Sequence, residues 1–229
     1  MTAEYTSSPD LRRLYSTAGW GGIAAFVAWM AQPIVVGLLA ATEGDMAQTF
    51  DTISSRPYLA SLELLIFIGI GVGILFLVTA VGRIVRARSA APSTAARVGH
   101  VFGLAAGVSW IFAAGNSFAP YTSVGSGIPD TAPDPALQSA LYQLNAVIFT
   151  GFGIAYAIGM AGWLITLATA GRRAGVVGWP TAILAVACSV ASASVLVVPF
   201  SPPWGIIGGL AFCLVGGIVF LVKSRRVGT

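Results

Sequence analysis

The chain has 229 residues, of which 56% are hydrophobic and only 9% charged, with a mean hydropathy of +0.86. A soluble globular domain carries roughly 25% charged residues. With 12 Lys and Arg and eight Asp and Glu, this chain cannot cover a water-facing surface, so lipid must solvate most of its outside. A formal charge of +4 raises the question of nucleic acid, but the basic residues lie in short runs between apolar segments. Membrane orientation explains that pattern, and nucleic acid is excluded as a partner.

A helix needs about 20 apolar residues to cross a hydrocarbon core about 30 Å thick. Residues 1–16 are largely polar and include Glu4, Asp10, Arg12 and Arg13; they predict a cytoplasmic N-terminal segment. The first apolar stretch, 17–41, is longer than a signal-peptide core of about 7–15 residues and reads as an uncleaved span. Further spans are predicted at 57–82, 98–119, 139–170, 178–198 and 203–222, with 223–229 as a cytoplasmic tail. Segments such as Leu64-Leu65-Ile66-Phe67-Ile68 lack the apolar–polar alternation of a membrane barrel. A continuous apolar helix also pairs its own backbone groups in lipid. The expected fold is therefore all-α, a single polytopic bundle of six transmembrane helices. The fourth stretch is long enough to tilt. The fifth and sixth are joined by Val198-Pro199-Phe200-Ser201-Pro202-Pro203, a proline-stiffened turn, and a re-entrant pair is the alternative to two full spans there.

Charge sets the expected orientation. Arg12 and Arg13 precede the first span. Arg83, Arg86, Arg88 and Arg97 surround the link between the second and third, Arg172 and Arg173 follow the fourth, and Lys223, Arg225 and Arg226 close the chain. Six spans put all of these on one face, leaving Arg56 as the exception among the 12 basic residues. The positive-inside tendency makes that face cytoplasmic and both termini with it. Glu43, Asp45, Asp51, Asp130 and Asp134 fall on the other side. The outer loop 120–138 contains Ile128-Pro129-Asp130-Thr131-Ala132-Pro133-Asp134-Pro135, which favours turns over helix; a linker and a lid are both open for it.

Small residues recur at every fourth position: Gly99, Gly103 and Gly107 on the third span, Gly151, Ala155 and Gly159 on the fourth, Gly69 with Gly73, and Gly205 with Gly209. Such rows let helix backbones approach closely in lipid, within the bundle, with a second copy, or with another membrane protein. Gly69-Ile70-Gly71-Val72-Gly73 lies inside a span with no preceding strand and no following Lys, so it is no phosphate cradle. Cys188 and Cys213 stand alone in apolar segments, where they read as small buried side chains.

Few residues carry chemistry. The single histidine, His100, rules out bis-histidine haem ligation and an HExxH zinc site from this chain alone. Its place near the inner end of the third span suits an imidazole tip reaching headgroups or water. No metal site or cofactor is expected. Glu63 stands apart as the one acidic residue inside a predicted span. A charged side chain at mid-membrane costs roughly 2.5–3.5 kcal/mol on insertion scales, and such residues face the bundle interior or a wet cavity. Counted from Pro57, Glu63 lies about 9 Å deep, in the outer leaflet.

Gln32 (beside Pro33, which can free a backbone carbonyl), Asn116, Gln143 and Asn145 fall at comparable depth, as do Ser192 and Ser194. The expectation is an outward-opening polar pocket, with Glu63, Gln32, Asn116, Gln143 and Asn145 as ligand-binding candidates. The alternative is that Glu63 only bonds these amides and holds the helices in register. Arg56, seven residues earlier, could share its charge. Trp20 and Trp179 near inner ends, and Tyr58, Tyr121 and Trp204 near outer ends, read as interfacial belts. Trp29, Trp110 and Trp163 lie deeper and pack or line a pocket.

Three segments carry a family resemblance: Leu11-Arg12-Arg13 leading into a Gly-rich first span, Pro57-Tyr58-Leu59-Ala60-Ser61-Leu62 opening the second, and the inner turn from Gly171-Arg172-Arg173 to Gly178-Trp179-Pro180. Together they resemble a bacterial six-span membrane family catalogued only as a domain of unknown function. The resemblance implies the architecture and brings no catalytic residues. The Ala-, Gly- and Arg-rich composition suits a high-GC bacterium and hence a bacterial plasma membrane. A small-ligand-binding, sensory or accessory protein fits best. A transporter would ordinarily carry several intramembrane ionisable groups and broken helices. An intramembrane enzyme acting on a lipid or isoprenoid would want a second acid or base beside Glu63.

Overall fold

The computed structural model describes residues 8–39, 56, 58–89, 93–125, 135–197 and 202–227. Six helices account for nearly all of them: α1 (Ser8–Leu39), α2 (Tyr58–Arg88), α3 (Thr94–Gly125), α4 (Pro135–Thr166), α5 (Trp179–Ala193) and α6 (Pro202–Arg226). Each contains a stretch long and apolar enough to cross a membrane, from Pro9–Val35 to Gly205–Arg226. The protein is thus an all-α polytopic membrane bundle.

The helix ends follow local chemistry. Pro9, Pro135, Pro180 and Pro202 each fall within the first two residues of a helix, where a missing N–H costs nothing and the fixed φ is already helical. The Ser93 hydroxyl accepts the Ala96 N–H at 3.3 Å and caps α3. Arg86 and Arg88 end α2, and Lys223, Arg225 and Arg226 end α6, where cations oppose the negative end of the helix dipole. Ser89 donates to the Val85 carbonyl at 2.7 Å and closes the last turn of α2.

Two boundaries differ from the sequence expectation. α1 begins at Ser8, so much of the polar segment 1–16 is helix rather than a separate lead; Asp10 in the first turn and Pro9 beside it favour initiation there. α3 runs to Gly125 and α4 starts at Pro135, so the predicted loop 120–138 shrinks from both sides. Its Pro- and Asp-rich centre, 126–134, lies outside the described residues, as do Glu43, Asp45 and Asp51. α1 continues through Pro33 without a break. α4 closes in a π-helical turn, Leu167–Gly171, and α5 ends in a 3-10 turn, Ser194–Leu196. In the α4–α5 turn Gly175 takes φ +68°, a left-handed conformation that any Cβ would disfavour.

Consecutive helices pack on one another, and α1 closes the ring against α6, with α4 also touching α6. The ends of α2 and α6, the starts of α1 and α3 and the α4–α5 turn therefore share one end of the bundle, hereafter the basic end. Arg56 lies at the opposite, far end. Backbones approach most closely at glycines. A Cβ on Gly21 would sit 2.7 Å from the Gly73 carbonyl oxygen, one on Gly71 2.6 Å from that of Gly107, and one on Gly22 against the Cys213 carbonyl. Gly99, Gly103, Gly107 and Gly159, picked out by their spacing, are likewise spent on contacts inside the chain, whereas Gly151 faces open space.

The interior is aromatic and aliphatic. Trp110 meets Phe67 at 5.5 Å and Tyr156 at 5.6 Å, Phe67 meets Phe149 at 5.7 Å, and Trp163 meets Phe212 at 5.7 Å. Large apolar side chains also cover the outside: Leu65, Val147 and Val190 are each more than 60% exposed, the pattern of a lipid-facing surface. Trp20, Tyr58 and Trp179, assigned to interfacial belts, are among the exposed side chains. Cys188 and Cys213 are buried free thiols.

Candidate functional site

Glu63 occupies the second turn of α2 and faces inward. By helix geometry it shares that face with Leu59, Ala60, Ile66 and Phe67, all of them buried. Glu63 itself is 8% exposed, and its Oε2 is buried with no hydrogen-bond partner. An unpaired oxygen in such surroundings loses its hydration without compensation, which costs more for a carboxyl than for any neutral group here.

The packing registers place the other candidates in depth. The Phe67 ring touches those of Trp110 and Phe149, so these three residues mark one level. Glu63 lies four residues beyond Phe67 towards the far end, and Asn145 four beyond Phe149, each about 6 Å further out. Asn116 lies six beyond Trp110, about 9 Å out. On α1, Ala28 opposes Gly69, which brings Gln32 to within about 3 Å of the Glu63 level. Gln143 sits about 3 Å beyond Asn145. The five candidates thus fall within about 6 Å of one another in depth.

They do not share a face. Gln32 and Asn116 are half-buried on the two helices that flank α2, whereas Gln143 is exposed on α4. The Asn145 side chain is outside the described set. Asn116 takes part in a polar interaction of its own. Ser192 is fully buried on α5 with its hydroxyl unpartnered, but α5 packs on α4 and α6 rather than on α2. Ser194 is spent on the Ala191 carbonyl at 2.7 Å.

Sequence reasoning treated the deeper tryptophans as packing or pocket lining, and Trp110 serves both uses. It is 4% exposed, its Nε1–H is buried without an acceptor, and it borders a cleft with Ser109, Ala113, Phe149, Phe152, Gly153 and Ile206. The cleft, about 10 Å³, has room for a single water. Phe67, Trp110 and Phe149 touch one another and form a continuous aromatic floor about one turn below the Glu63 level. An orphaned indole N–H cannot be read from sequence, since it depends on what α2, α4 and α6 place around it.

At the basic end His100 is half-buried near the start of α3. It packs against Gly82, where a Cβ would meet the imidazole Nδ1 at 2.7 Å, and that Nδ1 is buried without a partner. The glycine gap on α2 thus holds one edge of the ring, while the residue as a whole stays partly exposed. Trp179 is exposed, and the Arg172 guanidinium stacks 3.3 Å from its ring centroid. Among the described residues no group of three or more His, Cys, Asp or Glu side chains is placed to hold a metal ion.

These features define a six-helix membrane bundle in which, among the described residues, Glu63 is the one buried carboxyl and lies in the far half. Compared with protein-family models, with curated proteins and with solved structures, the chain has no match, so its residues alone bear on function.

Proposed function

We propose that this is a small-ligand-binding membrane protein, sensory or accessory in role, whose site lies in the far half of the bundle around Glu63. The observation that carries the reading is the buried Oε2 of Glu63 without a hydrogen-bond partner. A buried carboxyl oxygen without a hydrogen-bond partner is costly in lipid and suits a ligand that brings the missing donor. Gln32, Asn116 and Asn145 at comparable depth would supply the remaining polar contacts, and the aromatic floor beneath suits the apolar part of a small amine or quaternary ammonium compound.

The test is ligand-dependent stabilisation of the purified protein by a panel of primary amines and quaternary ammonium compounds. The wild type should gain several degrees in unfolding midpoint with one or more of them, as expected for a ligand present well above its Kd. Glu63→Gln, which keeps shape and removes the acid, should gain nothing. A panel that stabilises both proteins equally would falsify the reading.

The same reading sets the protein in a bacterial plasma membrane with the basic end and both termini in the cytoplasm, as the run of Arg and Lys at that end favours. A C-terminal fusion to green fluorescent protein should then fluoresce, and one to alkaline phosphatase should be inactive. The reverse pair of results would invert the topology and turn the Glu63 site towards the cytoplasm.

A further inference from the structure

At the basic end, α1, α2 and α6 meet the α4–α5 turn, and two cations converge there. The Arg88 guanidinium lies over the Tyr15 ring, 5.5 Å from its centroid, and donates to the Gly175 carbonyl at 3.4 Å. Lys223 donates to the neighbouring Val176 carbonyl at 2.6 Å. Their backbone acceptors are consecutive residues, and Arg88 is the charged neighbour that acts on Lys223. Among the described residues neither cation has an acidic partner. Two like charges held beside each other repel, and each carbonyl supplies only a partial charge in return.

Three of the five N–H donors of an arginine suffice for a bidentate contact and one more, and Arg88 uses one long bond here. Arg88 is exposed and Lys223 half-buried, so both are open to the membrane–water boundary. The ring beneath the guanidinium ends in a buried Tyr15 hydroxyl with no partner, an unspent donor in the same seam. Gly175, at φ +68°, keeps the turn open there, with the Arg88 Nη1 4.0 Å from where its Cβ would be.

We propose that Arg88 and Lys223 form a binding site for a phosphate group at the seam of α1, α2, α6 and the α4–α5 turn. A phosphate between the two cations relieves their repulsion and accepts the donors that the carbonyls leave unused. Basic pockets between transmembrane helices at the cytoplasmic boundary take phospholipid headgroups in this way. A soluble phosphate ester offers the same chemistry. The site is independent of the one around Glu63, at the opposite end of the bundle.

Delipidated protein in neutral detergent is titrated with phosphatidylglycerol, phosphatidylcholine and inorganic pyrophosphate, with bound species read by native mass spectrometry and stability by thermal unfolding. Phosphatidylglycerol retained in preference to phosphatidylcholine, and not displaced by pyrophosphate, identifies a lipid headgroup site. Stabilisation by pyrophosphate without preference among lipids identifies a soluble phosphate ligand. In either case Arg88→Gln and Lys223→Gln should each weaken binding about fivefold. Lys223→Arg should restore it, which separates lost charge from misfolding. Arg97→Gln, at the same end but outside the seam, should bind as the wild type does. Equal binding by wild type, Arg88→Gln and Lys223→Gln overturns the proposal, as does an equal loss in Arg97→Gln, which would reduce the effect to surface charge.

Discussion

Glu63→Leu is expected to stabilise the purified protein by about 2–3 kcal/mol while abolishing ligand-dependent stabilisation. Leucine nearly matches the volume of the glutamate side chain and joins a buried face already made of Leu59, Ala60, Ile66 and Phe67. The gain is the recovered desolvation cost of a carboxyl whose Oε2 bonds to nothing in the bundle, by the same reasoning through which apolar replacement of buried ionic groups is often stabilising. Chemical or thermal unfolding in one detergent, wild type against variant, measures it. The competing role, in which Glu63 ties α2 to Gln32 or Asn116, predicts the opposite sign, because the variant would strand those amides. A fall in stability would therefore assign Glu63 to structure, and a rise with retained ligand response would remove it from the site.

The second large effect concerns packing. Gly73→Leu is expected to prevent assembly of the native bundle, and Gly73→Ala to cost about 1–3 kcal/mol. A Cβ at Gly73 would lie 2.7 Å from the Gly21 carbonyl oxygen and 2.8 Å from the Ala25 nitrogen. Both are backbone atoms, so no rotamer change relieves the clash and α1 must move away from α2. Separating them also opens the α1–α6 contact at Gly22 and Cys213, because one helix carries both seams. Gly151→Ala is the control: nothing lies within 4 Å of its Cβ, and its stability should stay within about 0.5 kcal/mol of wild type. Size-exclusion profiles and unfolding midpoints read all three. A Gly73→Leu protein that runs and melts like the wild type would contradict the α1–α2 packing described here.

How much of this was legible beforehand differs by element. The six spans were, because an apolar run of some twenty residues has few alternatives in lipid, and the backbone must bond to itself there. So was the gathering of Arg88, Arg172, Lys223 and their neighbours at one end, which follows from alternating helices and an even span count. The burial of Glu63 was expected from its cost at that depth, and the comparable depth of Gln32, Asn116 and Asn145 followed from counting residues along each helix.

Other features needed the assembled bundle. Spacing alone ranked Gly151 with Gly159, yet only Gly159 meets a neighbouring helix, its would-be Cβ 2.7 Å from the Phe102 carbonyl oxygen. A four-residue repeat says which glycines share a face and not which helix that face meets. The contact of the His100 Nδ1 with Gly82 depends on how α2 and α3 pack and could not be read from spacing. Gln143 falls at the predicted depth but is exposed on α4, because depth along a helix does not set which way a side chain faces. The pairing of Arg88 and Lys223 over one turn joins residues 135 positions apart in the chain, and the orphaned Trp110 N–H depends on neighbours from three helices. The sequence by itself determined that this is a six-helix membrane bundle with a basic end and one acid, Glu63, inside a predicted span. Helix rotation and register, set by which small residues let backbones touch, decided which polar groups were left facing one another and which were left without a partner.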